Sequence, residues 1–157
     1  MKKLLLSALA LIAVVLPLSV AQAATPKPPK IFGDFEVGKT FTFTVANVNS
    51  SATEGMNTIP NAPIPAGVPA FTVGQQVTMT IGKKGELIGP GFKVTFVSGG
   101  VGANVYMNKP KKGAQPTAVT VHKNTTTNEP TAVSMAFFTF KLVKRVPNVS
   151  QVYYTLN

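Results

Sequence analysis

The chain has 157 residues, 15 of them basic against five acids, with one histidine, no cysteine, no tryptophan and a formal net charge of +10. That length suits one domain with one core. The lack of cysteine excludes disulfide scaffolds and thiolate metal sites, and the positive excess favours a negatively charged neighbourhood.

Residues 1–23 read as a cleavable signal peptide. Lys2 and Lys3 precede an apolar run over 4–16 broken only by Ser7, and Ala21-Gln22-Ala23 offers a small-x-small cleavage site. As a helix that run would span about 20 Å, short of the ~30 Å hydrocarbon core, and Pro17 interrupts it. The expected product is exported, periplasmic or extracellular, and bacterial in the style of its lysine-led signal. Cleavage removes Lys2 and Lys3, so most of the positive charge stays on the domain.

Residues 24–30, ATPKPPK, read as a solvated Pro/Lys-rich lead-in, and a single domain is expected over 31–157. Phe41, Phe43 and Val45 alternate with Thr40, Thr42 and Thr44, the period of a half-buried strand over 40–48. The same pattern returns 36 residues on: 35–45 aligns with 71–81, sharing phenylalanine, valine, glycine and two threonines. This is either a duplicated turn-plus-strand unit or the common look of a strand entered through a Val-Gly turn. Gly38 and Gly74 are expected at turns that side chains resist.

Residues 50–70 hold Pro60, Pro63, Pro65 and Pro69 and read as a long connection or an edge segment. A hairpin is predicted around Gly82-Lys83-Lys84-Gly85. A one-sided strand follows over 92–96, ended by Ser98-Gly99-Gly100, then a weaker one over 101–107, a basic loop over 109–116 and a strand marked by Val119 and Val121. Residues 132–143 are apolar on both parities, with Val133, Met135 and Phe137 on one and Phe138, Phe140 and Leu142 on the other. A bulge at Phe137-Phe138, or cover on both faces, would accommodate them. The last strand is predicted over 151–156.

These elements predict an all-β fold, an antiparallel sandwich of about seven or eight short strands with a partly closed barrel as the alternative. Strands that short fall below the about 9–11 residues a membrane barrel needs.

Few groups could do chemistry. Asp34 and Glu36 share a parity and could pair as acid and base, but read better as solvated charges. His122 is expected on an outer face. Met56, Met79, Met107 and Met135 show no clustered spacing for a soft metal, so no metal or other cofactor is predicted. No Gly-x-Ser-x-Gly elbow occurs. The basic residues lead instead. Lys83 and Lys84, Lys109, Lys111 and Lys112, and Lys144 and Arg145 form three clusters that would make a polyanion patch if gathered at one end. The partner would be an anionic envelope polymer or polysaccharide; with one arginine and no interleaved aromatics, specific nucleic-acid binding is not expected. Tyr153, opposite in parity to its core-facing neighbours, is the candidate for stacking on a sugar. Asn49, Asn124 and Asn148 begin glycosylation sequons by pattern.

The sequence therefore predicts an exported, non-catalytic protein with a binding or structural role. A polyanion- or carbohydrate-binding module is the first alternative, and a small hydrolase with its site in 50–70 the second.

Overall fold

The structure is a computed structural model that describes residues 28–108 and 116–157. The predicted signal peptide and the loop lysines Lys109, Lys111 and Lys112 lie outside the described residues. Among those described, the strands are β1 (Ile31–Phe32), β2 (Phe35–Glu36), β3 (Thr40–Glu54), β4 (Asn57–Pro60), β5 (Gln76–Ile81), β6 (Glu86–Gly89), β7 (Phe92–Gly100), β8 (Ala103–Met107), β9 (Thr117–Lys123), β10 (Pro130–Val143) and β11 (Val146–Leu156).

All pairings are antiparallel, and β1–β2 forms a small sheet of its own. The main sheet runs β11-β10-β9-β8-β7-β6-β5-β3-β4, and β11 also pairs with β3. Hydrogen bonding thus returns to its starting point, leaving β4 outside a ring of strands. The fold is all-β, as predicted, and the layers that pack face to face belong to one sheet whose edges meet.

The alternation read in the sequence selects the core. Phe41, Phe43 and Val45 of β3, Val77, Met79 and Ile81 of β5, and Val119 and Val121 of β9 are buried inside the ring, with Val133, Met135, Phe137, Val152, Tyr154 and Leu156 from β10 and β11. Each contributes roughly 1.5–3 kcal/mol by leaving water, so a slip of one residue in any of these strands is heavily penalised. One end of the ring is covered by β1–β2, which inserts Phe35, and the other by residues 61–75, which insert Val68 and Phe71. Tyr154 holds that second cover: its hydroxyl donates to the Pro69 carbonyl at 2.6 Å and accepts the Phe71 N–H at 3.4 Å.

The repeated segments pair with each other. Thr42 lies opposite Thr78, with Phe41 opposite Met79 and Phe43 opposite Val77. A shift of 36 residues maps each of these pairs onto another, which is a local two-fold axis through Thr42 and Thr78. The turn bonds obey it. Gly38 N–H donates to Ile81 O at 2.8 Å and Gly74 N–H to Val45 O at 2.9 Å, while Ile81 N–H to Lys39 O and Val45 N–H to Gln75 O are both 2.9 Å. Gly38 and Gly74 have φ of 90° and 86°, the left-handed conformation expected of them.

Several strands are longer than predicted, and the excess has causes. In β3 a bulge at Ala46, seen as the step from Leu156↔Val45 to Thr155↔Asn47, reverses the parity so that Val48 continues the core. The strand then runs on to Glu54 and turns back as β4, which among the described residues pairs only with β3, so the first part of 50–70 is the edge segment that was one of its two expected forms. In β7, Ser98-Gly99-Gly100 continues the strand after a register step at Val97 instead of ending it. β10 is regular from Val133 to Val143, with no bulge at Phe137-Phe138. The lengths of β3, β10 and β11, 15, 14 and 11 residues, overturn the expectation of uniformly short strands, while β5, β6 and β8 at 6, 4 and 5 meet it.

Candidate functional site

The extra length of these strands lies at one end of the ring. β9 leaves β10 after Phe137↔Thr117, and β5 leaves β3 after Thr44↔Gln76. Beyond those points β10, β11, β3 and β4 continue as a four-stranded arm. Its two hairpin turns are joined by the Gly55 N–H donating to Pro147 O at 3.1 Å. At the base of its inner face the Ser50 hydroxyl donates to Ala62 O at 2.7 Å.

The two parities of β10 have different fates on this arm. Phe137 faces the core, whereas Phe138, Phe140 and Leu142 face outward alongside Val149 and Tyr153 of β11. Phe140 and Leu142 are 63% and 66% exposed, and Met56 on the β3–β4 turn is 95% exposed. On the opposite face of the arm Val143, Val146 and Ile59 are exposed as well. The sequence signal for this surface was an apolar run on both parities; among the described residues there is neither a bulge in β10 nor a second layer to cover it. An apolar strip of this kind marks an interaction surface.

The basic clusters do not gather at one place. Lys83 and Lys84 sit on the β5–β6 turn, at the end carrying β1–β2, while Lys144 and Arg145 form the β10–β11 turn at the tip of the arm. The third cluster lies outside the described residues. The residues flanking it are at the base of the arm, where Pro116 O accepts the Phe138 N–H at 2.9 Å and the Asn108 N–H donates to Thr117 O at 3.1 Å. Tyr153 is on the outer face of the arm, as its parity predicted. Its ring meets Phe138 edge-on at 5.9 Å and its hydroxyl donates to Gln151 Oε1 at 2.9 Å. The structure thus places Lys144 and Arg145 at the tip and Tyr153 near the base of one hairpin, about eight residues apart along β10, with apolar side chains between them that the sequence had not assigned to any site, and sets Lys83 and Lys84 apart.

Lys144 and Arg145 occupy an unusual turn. Their φ values are 49° and 65°, the left-handed pair of a two-residue hairpin that normally recruits asparagine and glycine. Two long cations are held there against conformational preference. The ion pairs among the described residues are Lys39–Glu129, Lys93–Glu86 and Lys123–Asp34, so none engages Lys144, Arg145, Lys83 or Lys84.

Of the five acids, Asp34, Glu86 and Glu129 form ion pairs among the described residues, whereas Glu36 and Glu54, the latter at the end of β3 on the arm, form none. Asp34, on the β1–β2 turn, pairs with Lys123, whose side chain points inward from the end of β9 and is only 4% exposed. This corrects the reading of Asp34 as a solvated charge. Asp34 and Glu36 do line one surface hollow with Lys39, and a second hollow of about 570 Å³ is walled by Gly33, Gly99, Gly100 and Gly102 beside the Lys123–Asp34 pair. His122 is on the outer face, its Nε2 3.1 Å from Ser134 Oγ, so the geometry does not join the histidine to Asp34. The Glu86 carboxyl is lowered from 4.5 to about 2, first by the Lys84 N–H and then by the Lys93 ammonium. Burial pushes the Tyr106 hydroxyl up to about 12, against an opposing contribution from the neighbouring Asn104 amide. Among the described residues no three or more histidine, aspartate or glutamate side chains come together as a metal site.

Comparison of the chain with protein-family models, with curated proteins and with solved structures finds no match. The arm presents exposed apolar side chains on a projecting sheet, and the turn at its end carries two cations that form no ion pair among the described residues.

Proposed function

We propose that this chain is an exported, non-catalytic binding protein and that the arm is its contact surface for an anionic partner. The observation that carries the reading is the coincidence, on the β10–β11 hairpin, of exposed Phe140 and Leu142 with Lys144 and Arg145, which form no ion pair among the described residues. Folding alone gives no reason for either feature. Exposed apolar side chains forgo roughly 1.5–3 kcal/mol each, and a left-handed turn favours asparagine and glycine over long cations. Both are accounted for by a partner that supplies negative charge and apolar cover. The leader of residues 1–23 supports action outside the cytoplasm, where anionic envelope polymers are at hand. Tyr153 belongs to the same surface and extends it towards the ring.

Chromatography on a heparin matrix tests the proposal. The protein should be retained at low salt and released only above physiological ionic strength, and replacement of both tip cations in K144N/R145G should move release to lower salt. Passage of the unaltered protein at low salt would remove the proposal.

A further inference from the structure

We infer that the anionic partner is a lipid surface, and that the arm lies on it with its Phe138–Leu142 face down; this rests on the binding role proposed for the arm. The outer face of the arm is divided by strand. β10 and β11 carry Phe138, Phe140, Leu142, Val149 and Tyr153, whereas the next strand, β3, presents Asn49, Ser51 and Thr53, the residues opposite Tyr153, Gln151 and Val149. The result is an apolar strip two strands wide, with a polar row along one side and the cations of the turn at its end.

Charge and shape together select among partners. A soluble polyanion would neutralise Lys144 and Arg145 but leave Phe140 and Leu142 in water. A second copy could cover the apolar strip, but it would bring together two chains that remain strongly positive after loss of Lys2 and Lys3. An anionic bilayer supplies both requirements, acyl boundary for the strip and phosphate for the cations. Tyr153 fits the same placement: it combines a flat apolar ring with a hydroxyl bonded to Gln151, as suits a side chain at headgroup depth. The arm is also long enough to act as a unit, since β10 carries it from Phe137 to Val143, about 20 Å past the last β9 pairing at some 3.4 Å per residue.

Co-sedimentation with sucrose-loaded vesicles tests the inference, using phosphatidylcholine alone and phosphatidylcholine with about a third phosphatidylglycerol. The protein should sediment with the anionic vesicles and stay in solution with the neutral ones. K144N/R145G should weaken vesicle binding about 25-fold, from roughly fivefold per cation. F140S/L142S replaces two exposed side chains of the strip and should weaken vesicle binding at least tenfold. The inference is overturned if the protein ignores anionic vesicles, if F140S/L142S binds them as well as the parent, or if the strip proves to be covered by a dimer that F140S/L142S dissociates. Failure of the unaltered protein to bind anionic vesicles, with its heparin elution dependent on Lys144 and Arg145, would end the lipid inference and leave the binding role of the arm intact. Heparin elution indifferent to K144N/R145G would end the binding role itself.

Discussion

The hydroxyl oxygens of Thr42 and Thr78 lie 2.9 Å apart on the outer face of the sheet, on the axis that relates β3 to β5. Each half of this pairing presents the same turn, the same buried alternation and the same hydrogen bonds, so equivalent substitutions should have equivalent effects. A Cβ added at Gly38 or at Gly74 meets nothing within 4 Å, which leaves only the cost of a left-handed alanine. G38A and G74A should each destabilise by about 1–2 kcal/mol and agree within a few tenths in urea unfolding. A large disparity would show that the two turns are alike in form but not in environment.

The cationic turn should be improved by the residues its conformation prefers. K144N/R145G removes two charges and relieves two left-handed long side chains, so it should stabilise the protein by about 1 kcal/mol, read as a rise in thermal midpoint. The variant thereby separates folding from binding. A fall in midpoint would mean that Lys144 and Arg145 serve the fold.

Asp34 and Lys123 should respond unequally to neutral replacement. D34N leaves an inward-pointing ammonium without its counterion and should cost about 3 kcal/mol. K123M replaces the buried cation with an apolar chain and leaves a carboxylate that is one-third exposed to water, so it should cost less than D34N. The reverse order in denaturant unfolding would contradict the assignment of the buried charge.

Glu86 ties acid stability to the β5–β7 region. Its carboxyl falls from 4.5 to about 2 because the folded state donates the Lys84 N–H and places the Lys93 ammonium beside it. A depressed carboxyl stabilises the fold fully above its unfolded value and loses that contribution as pH falls through about 2. E86Q should therefore be less stable than the parent at neutral pH, with the two thermal midpoints converging between pH 4.5 and about 2. A constant gap across that window would remove Glu86 as the source.

Much of the core was legible, because alternation in 40–45, 77–81 and 119–121 is a local property and the structure buries those residues. The repeat was legible too, though its meaning waited on seeing the copies pair about an axis. Ring closure was not, since β11 meets β3 across most of the chain and nothing near either strand announces the partner. The far half of β3 was hidden for another reason: the bulge at Ala46 shifts the parity, and the mostly polar residues 49–54 are held as strand by β11 on one side and, from Ser51 on, by β4 on the other. On the candidate surface, Lys144, Arg145 and Tyr153 were visible by charge and parity. Phe140 and Leu142 were visible as apolar side chains but assigned to a core, because sequence pattern cannot tell a face that is covered from one that awaits a partner.

The measurement that tests the role of the arm most directly is the salt concentration at which two double variants leave a heparin matrix. K144N/R145G and K83N/K84N remove the same charge from opposite ends of the ring. The account predicts a clear shift to lower salt for K144N/R145G and little change for K83N/K84N. Equal shifts would mean that net charge alone governs binding, and would contradict the assignment of the arm as the contact surface.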